Sequence, residues 1–175
     1  MFDKLIDILV AAWREIVPFV IVEQWNAGVQ LRMGKFKRSL GPGIWFKMPL
    51  VDSIMEAAVI TQSVNLPAQT LTTADEKGII LKALIRYRVV DVQKFMLGVM
   101  HANDVLVDTT MGIIRDIVED TEWGELAGVD EQITEEVREF VGQWGIEVDK
   151  VTISDLAIVK TYRILGSDLK PLPLG

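Results

Sequence analysis

The chain has 175 residues, half of them apolar, with a formal net charge of −7, one histidine and no cysteine. Such a length suits one domain, or two small subdomains sharing a core. The missing cysteines exclude disulfides, thiolate nucleophiles and Cys-based zinc sites, the lone His101 excludes His–His metal pairs, and the acidic balance argues against nucleic acid, which needs a basic groove.

The charge is segregated along the chain. Residues 1–118 carry 13 basic and 12 acidic side chains, residues 119–149 carry Arg138 against 11 acids, and residues 150–175 carry 4 basic and 2 acidic. A solvated helix face accounts for the acidic block without a ligand; a charged contact surface accounts for it equally well.

At the start, Phe2, Leu5, Ile6, Leu9, Val10, Trp13, Ile16 and Val17 recur at helical spacing and form one apolar stripe. Asp3 is placed to cap this helix and Pro18 to stop it. Two early acids and no small-x-small site exclude a signal peptide. Asp7, Arg14, Glu15 and Pro18 interrupt any simple membrane span, which needs about 20 mostly apolar residues. Two readings stay open: an anchor lying in the plane of a membrane, or a helix buried on its own domain or on a neighbouring subunit.

Residues 19–33 alternate apolar and polar for much of their length, a strand pattern with Gly28 inside it. Five cations follow in close order, Arg32, Lys35, Lys37, Arg38 and Lys47. Facing anionic headgroups, each would contribute roughly 1 kcal/mol. Gly41-Pro42-Gly43 is a strong breaker. Residues 44–66 read as further extended structure, punctuated by Pro49 and Pro67. The clearest strand is 79–90, with Ile79, Leu81, Ala83, Ile85, Tyr87 and Val89 on one face and Ile80, Lys82, Leu84, Arg86, Arg88 and Val90 on the other.

Helices come next. Asp91 is placed to cap a short one through Met100, and Asn103 a second over 104–120, with Val105, Leu106, Thr109, Gly112, Ile113, Ile117 and Val118 inward. A third spans 130–144, burying Ile133, Val137, Phe140, Val141 and Trp144 and turning Glu131, Glu135, Glu136 and Glu139 outward. Gly145 is a natural residue to follow its end. Residues 146–156 return to a strand, 157–165 keep β-branched character, and the proline-bearing tail after Gly166 reads as irregular.

Four stretches, taken together, resemble one family. They are Ala27-Gly28-Val29-Gln30-Leu31-Arg32-Met33-Gly34-Lys35; Gly41-Pro42-Gly43-Ile44-Trp45-Phe46-Lys47-Met48-Pro49; Leu71-Thr72-Thr73-Ala74-Asp75 leading into the strand that ends Tyr87-Arg88-Val89; and Trp144-Gly145-Ile146-Glu147-Val148 leading to Val151–Leu156. Their order and spacing resemble the SPFH or band 7 superfamily of stomatins, prohibitins and flotillins, over roughly residues 19–156. The resemblance implies a mixed α/β (α+β) fold: a curved, mainly antiparallel sheet with helices packed on one side, in two subdomains. The expected organisation is an N-terminal amphipathic anchor helix at 1–18, a strand-rich first subdomain at 19–90, a second of helices plus a strand at 91–156, and a C-terminal strand and tail at 157–175. The family's coiled-coil helix has no counterpart after the last strand, so the chain is expected to be a short member without it.

The resemblance further implies a scaffold that self-assembles into a ring or cage on a membrane and organises a membrane patch or regulates a protease or channel. The expected partners are lipids and copies of the chain, with no nucleic acid and no cofactor. The expected place is the cytoplasmic face of a bacterial inner membrane, or of a phage-infected cell. The anchor would be the Phe2–Val17 stripe, and the headgroup contacts Arg32, Lys35, Lys37, Arg38 and Lys47. Contacts between copies would draw on Arg86, Arg88, Glu131, Glu135 and Glu139. The competing reading is a soluble adaptor, such as a viral structural component, whose first helix binds a protein. Enzyme readings are thin: His101 near Asp104 and Asp108 reads as a capping or surface residue at a helix start, the paired acids Asp130/Glu131 and Glu135/Glu136 fall on a solvated helix face with no evident pocket, Ser39 lacks a nucleophile elbow, and Gly41-Pro42-Gly43 lacks the Lys-Ser/Thr of a phosphate loop.

Overall fold

A computed structural model describes residues 18–159. The Phe2–Val17 stripe and the tail from Lys160 onward lie outside these residues. The described strands are β1 (Phe19–Val22), β2 (Asn26–Arg32), β3 (Lys35–Leu40), β4 (Gly43–Phe46), β5 (Asp52–Ala58), β6 (Gln62–Asn65), β7 (Gln69–Thr72), β8 (Gly78–Val89) and β9 (Ile146–Ile158). Between β8 and β9 lie the helices α1 (Val92–Leu97), α2 (Ala102–Glu119) and α3 (Asp130–Val141). All strand pairings are antiparallel.

The strands form three sheets: a β1–β4 ribbon, a β3–β2–β5 sheet, and a sheet centred on β8, with β9 along one side and β6 and β7 in succession along the other. Residues 19–33, read as one strand, are therefore two. The chain turns at Glu23, where Asn26 N donates to Glu23 O (3.0 Å), and changes sheets there.

The alternation in β8 is borne out in full. Ile79, Leu81, Ala83, Ile85, Tyr87 and Val89 are all buried, against Leu106, Ile114, Ile117 and Val118 of α2 and Ile133, Val137 and Val141 of α3. Each such side chain contributes about 1.5–3 kcal/mol on leaving water. The buried cluster also takes in Val29 of β2, and α1 packs against β2 and β5.

Asp91 caps α1 as its type and position suggest, its carboxylate accepting from the N–H groups of Gln93 (3.0 Å) and Lys94 (3.1 Å). Asn103 does not cap α2. That helix begins at Ala102 after a left-handed His101, and the Asn103 side-chain oxygen instead accepts from the Tyr87 hydroxyl at 2.8 Å. Tyr87 is buried, so its hydroxyl needs a partner, and a long-range demand overrides the local rule. The inner face of α2 is correspondingly rotated, with Thr110 and Ile114 buried where Thr109 and Ile113 were expected. Phe140, expected in the core, is 49% exposed and meets Trp144 edge-on, with ring centroids 5.6 Å apart.

Gly145 ends the short 3-10 turn after α3 in the left-handed region (φ 74°), and its carbonyl accepts from both Val90 N and Asp91 N. The outer edge of β9 is covered by α3. Thr134 Oγ1 accepts from Val151 N (2.9 Å), Asp130 Oδ1 accepts from Ile153 N (3.3 Å), and Arg138 donates to the carbonyls of Val148 and Asp149. One polar stripe at four-residue spacing thus occupies the backbone groups that a bare sheet edge would offer to another chain.

Candidate functional site

Five cations were singled out from the sequence, and the structure gathers most of them at one end of the β3–β2–β5 sheet. β2 runs out there, while β3 and β5 start there. The β2–β3 hairpin turns on Met33 and Gly34, both at positive φ (51° and 77°), as two-residue hairpins require. Met33 N donates to Val51 O (2.9 Å), which ties this turn to the loop between β4 and β5. In that loop Leu50 also sits at positive φ (66°). Met33 is 83% and Leu50 96% exposed. A non-glycine residue held left-handed costs roughly 1–2 kcal/mol, so two apolar side chains are held out into solvent on strained backbone.

Asp52 fixes this arrangement. Its side chain has no exposed surface, and it accepts from Arg32 Nε (2.7 Å) and Nη2 (3.0 Å), from Gln30 Nε2 (2.6 Å) and from Met48 N (2.9 Å). The Arg32 hydrogen bond first, then that from Met48 N, holds the Asp52 carboxyl well below the usual carboxylate range. The same bond raises the Arg32 guanidinium. Gln30, fully buried, also donates to Phe46 O (3.3 Å) and accepts from Arg38 Nε (2.7 Å). Arg38 lies over the Trp45 ring at 4.9 Å.

The five cations therefore divide. Arg32 and Arg38 have partners inside the fold. Among the described residues Lys35, Lys37 and Lys47 make no ion pair, and Lys35 and Lys37 are exposed. Lys47 N donates to Pro18 O at 2.8 Å, so the first described residue lies beside this same end. The ribbon adds apolar surface: Phe19 pairs with Phe46 and Ile21 with Ile44, all four exposed.

The candidates for contact between copies lie elsewhere. Arg86 is exposed on the sheet face away from the helices, and Arg88 donates there to the Glu147 carboxylate from Nε and Nη2. On α3, Glu131 and Glu139 are exposed and Glu135 pairs with Arg138. Met33, Leu50, Gln30 and Asp52 were not singled out from the sequence. The available signal was the placing of apolar residues in turns, at Met33-Gly34 and after Pro49. Among the described residues no cluster of His, Asp or Glu is arranged to hold a metal ion, and no helix is long and apolar enough to cross a membrane.

A family model described as the SPFH domain / Band 7 family matches residues 20–164. The chain belongs to the SPFH/Band 7 family. An uncharacterized protein of Methanocaldococcus jannaschii is 26% identical over 152 residues, covering 85% of this chain and 76% of that one. Stomatin-1 of Caenorhabditis elegans is 27% identical over 146 residues, 79% of this chain and 43% of its own length. A stomatin homolog of Pyrococcus horikoshii is 23% identical over 142 residues, 79% of this chain and 53% of its own. This SPFH chain thus spans about half the length of the stomatins it matches.

Proposed function

We propose that the chain is a non-enzymatic, membrane-associated scaffold that self-assembles, seated on the bilayer by the end of its β3–β2–β5 sheet. Family membership and the stomatin relatives support the class of function. The observation that carries the seat is the pair Met33 and Leu50, apolar, almost fully exposed and braced from behind by Asp52. Exposure of this kind gains nothing in water. In the lipid interface each side chain would contribute about 2 kcal/mol, and each nearby lysine about 1 kcal/mol against anionic headgroups.

Two loop tips give reversible binding at best, as with a single lipid chain, and stable attachment takes a second element. The Phe2–Val17 stripe would supply it, joined at Pro18 to the same end. Rooted in this way, a ring of copies would organise a patch of bilayer or regulate a membrane protease or channel within it. Flotation of the purified full chain with phosphatidylserine-containing liposomes tests the seat. Binding should fall with Leu50→Asp and Met33→Asp, and fall further when residues 1–17 are removed. Quantitative recovery of the wild-type chain from the lipid-free fraction would favour the soluble adaptor reading instead.

A further inference from the structure

Among the described residues nothing covers the face of the β8-centred sheet opposite the helices. From β8 it presents Ile80, Lys82, Leu84, Arg86 and Arg88. Strand register sets Arg86 directly opposite Lys150 of β9, both exposed. Like charges in that relation are destabilising. Among the described residues neither has an ion-pair partner, and Glu147 of the same strand is bound to Arg88. Lys82 stands opposite Asp155 in the same register, so the positive charge left without a partner on this face is that of Arg86 and Lys150, beside apolar surface.

The opposite side of the same two-layer unit is its complement. There α3 turns Glu136 and Glu139 to solvent, and with Phe140 and Gln143 they line a groove whose far wall is Ile113 of α2. The sizes agree: α3 is ~18 Å long at 1.5 Å per residue, and the stretch of β8 from Ile80 to Arg86 spans ~20 Å. We propose that the open sheet face is occupied by a second copy of this chain, whose α3 lays Glu136, Glu139 and Phe140 across Lys82, Arg86 and Lys150.

This inference rests on the assembly part of the proposed function and names its contact. Since the two faces lie on opposite sides of one unit, the contact is heterologous. It repeats from copy to copy and closes into a ring if the rotation allows. Neither face includes a residue of the Met33–Leu50 end.

Heterologous pairing makes the test sharp. Arg86→Glu with Lys150→Glu reverses the sheet face and leaves a like-charged cross-strand pair where the wild type already has one, so the fold meets no new strain. Glu136→Lys with Glu139→Lys reverses the helix face. Sedimentation of the full chain in detergent should show each variant associating about tenfold more weakly than wild type, as like-charged faces meet. A one-to-one mixture of the two variants should recover wild-type assembly, because every junction is then complementary. Added salt should weaken the wild-type assembly. The contact is overturned if either variant assembles as the wild type does, if the mixture does no better than its components, or if the wild type stays monomeric throughout the micromolar range. Failure of the wild type to float with liposomes contradicts the membrane seat and not this contact, so the two readings fail separately.

Discussion

Asp52 collects donors from Gln30, Arg32 and Met48, and so sets where Met33 and Leu50 stand. Its carboxyl is held below the usual range in the fold. A depressed pKa adds stability that is fully present above the unfolded value, about 3.9, and is lost only as pH falls through the folded value. Melting curves should therefore show a constant gap between wild type and Asp52→Asn from neutral pH down to about pH 4, narrowing below it. A gap that stayed constant below pH 4 as well would show the carboxyl titrating at its ordinary value. Leu50 carries the opposite balance. Leu50→Asn places a residue that tolerates the left-handed region on a fully exposed loop, and should raise stability by about 1 kcal/mol while weakening binding to liposomes. Paired denaturation and flotation measurements would check that trade-off.

At the scale of elements, what could be read from the sequence was whatever its own neighbours decide. β8 was legible because burial on one face imposes a period of two over twelve residues. Asp91 was legible because a cap bonds to N–H groups two and three residues on. Asn103 was misread because its partner, Tyr87, is sixteen residues back and buried. Asp130, Thr134 and Arg138 carry no local sign that they cover the edge of β9. Arg32 and Arg38 read as free cations because Asp52 and Gln30 meet them only across the sheet.

Three substitutions probe these elements. Thr134→Val keeps the side-chain shape but removes the acceptor of Val151 N, and should cost about 1–3 kcal/mol in urea unfolding. At Gly145 a Cβ would stand 2.4 Å from Asp91 O on backbone at positive φ, whereas at Gly128 it would meet open space. Gly145→Ala should thus be destabilising by more than about 1 kcal/mol, and Gly128→Ala by much less. Equal midpoints for the two would contradict the tight junction of β8, α1 and β9.

On the scale of the whole molecule, three surfaces divide the work. In the proposed arrangement one end of the β3–β2–β5 sheet would face lipid, the open face of the β8-centred sheet would receive a neighbour, and the outer face of α3 would be what that neighbour presents. Among the described residues Glu131, Glu136 and Glu139 stand exposed on α3, and Lys82, Arg86 and Lys150 stand exposed on the β8-centred sheet. The central claim is the membrane seat, and the most direct measurement is liposome flotation of the full chain carrying Met33→Asp and Leu50→Asp together. With anionic vesicles at least a tenfold loss of binding is expected, about 1.4 kcal/mol, with a melting point no lower than that of the wild type. Wild-type binding by the double variant would contradict it.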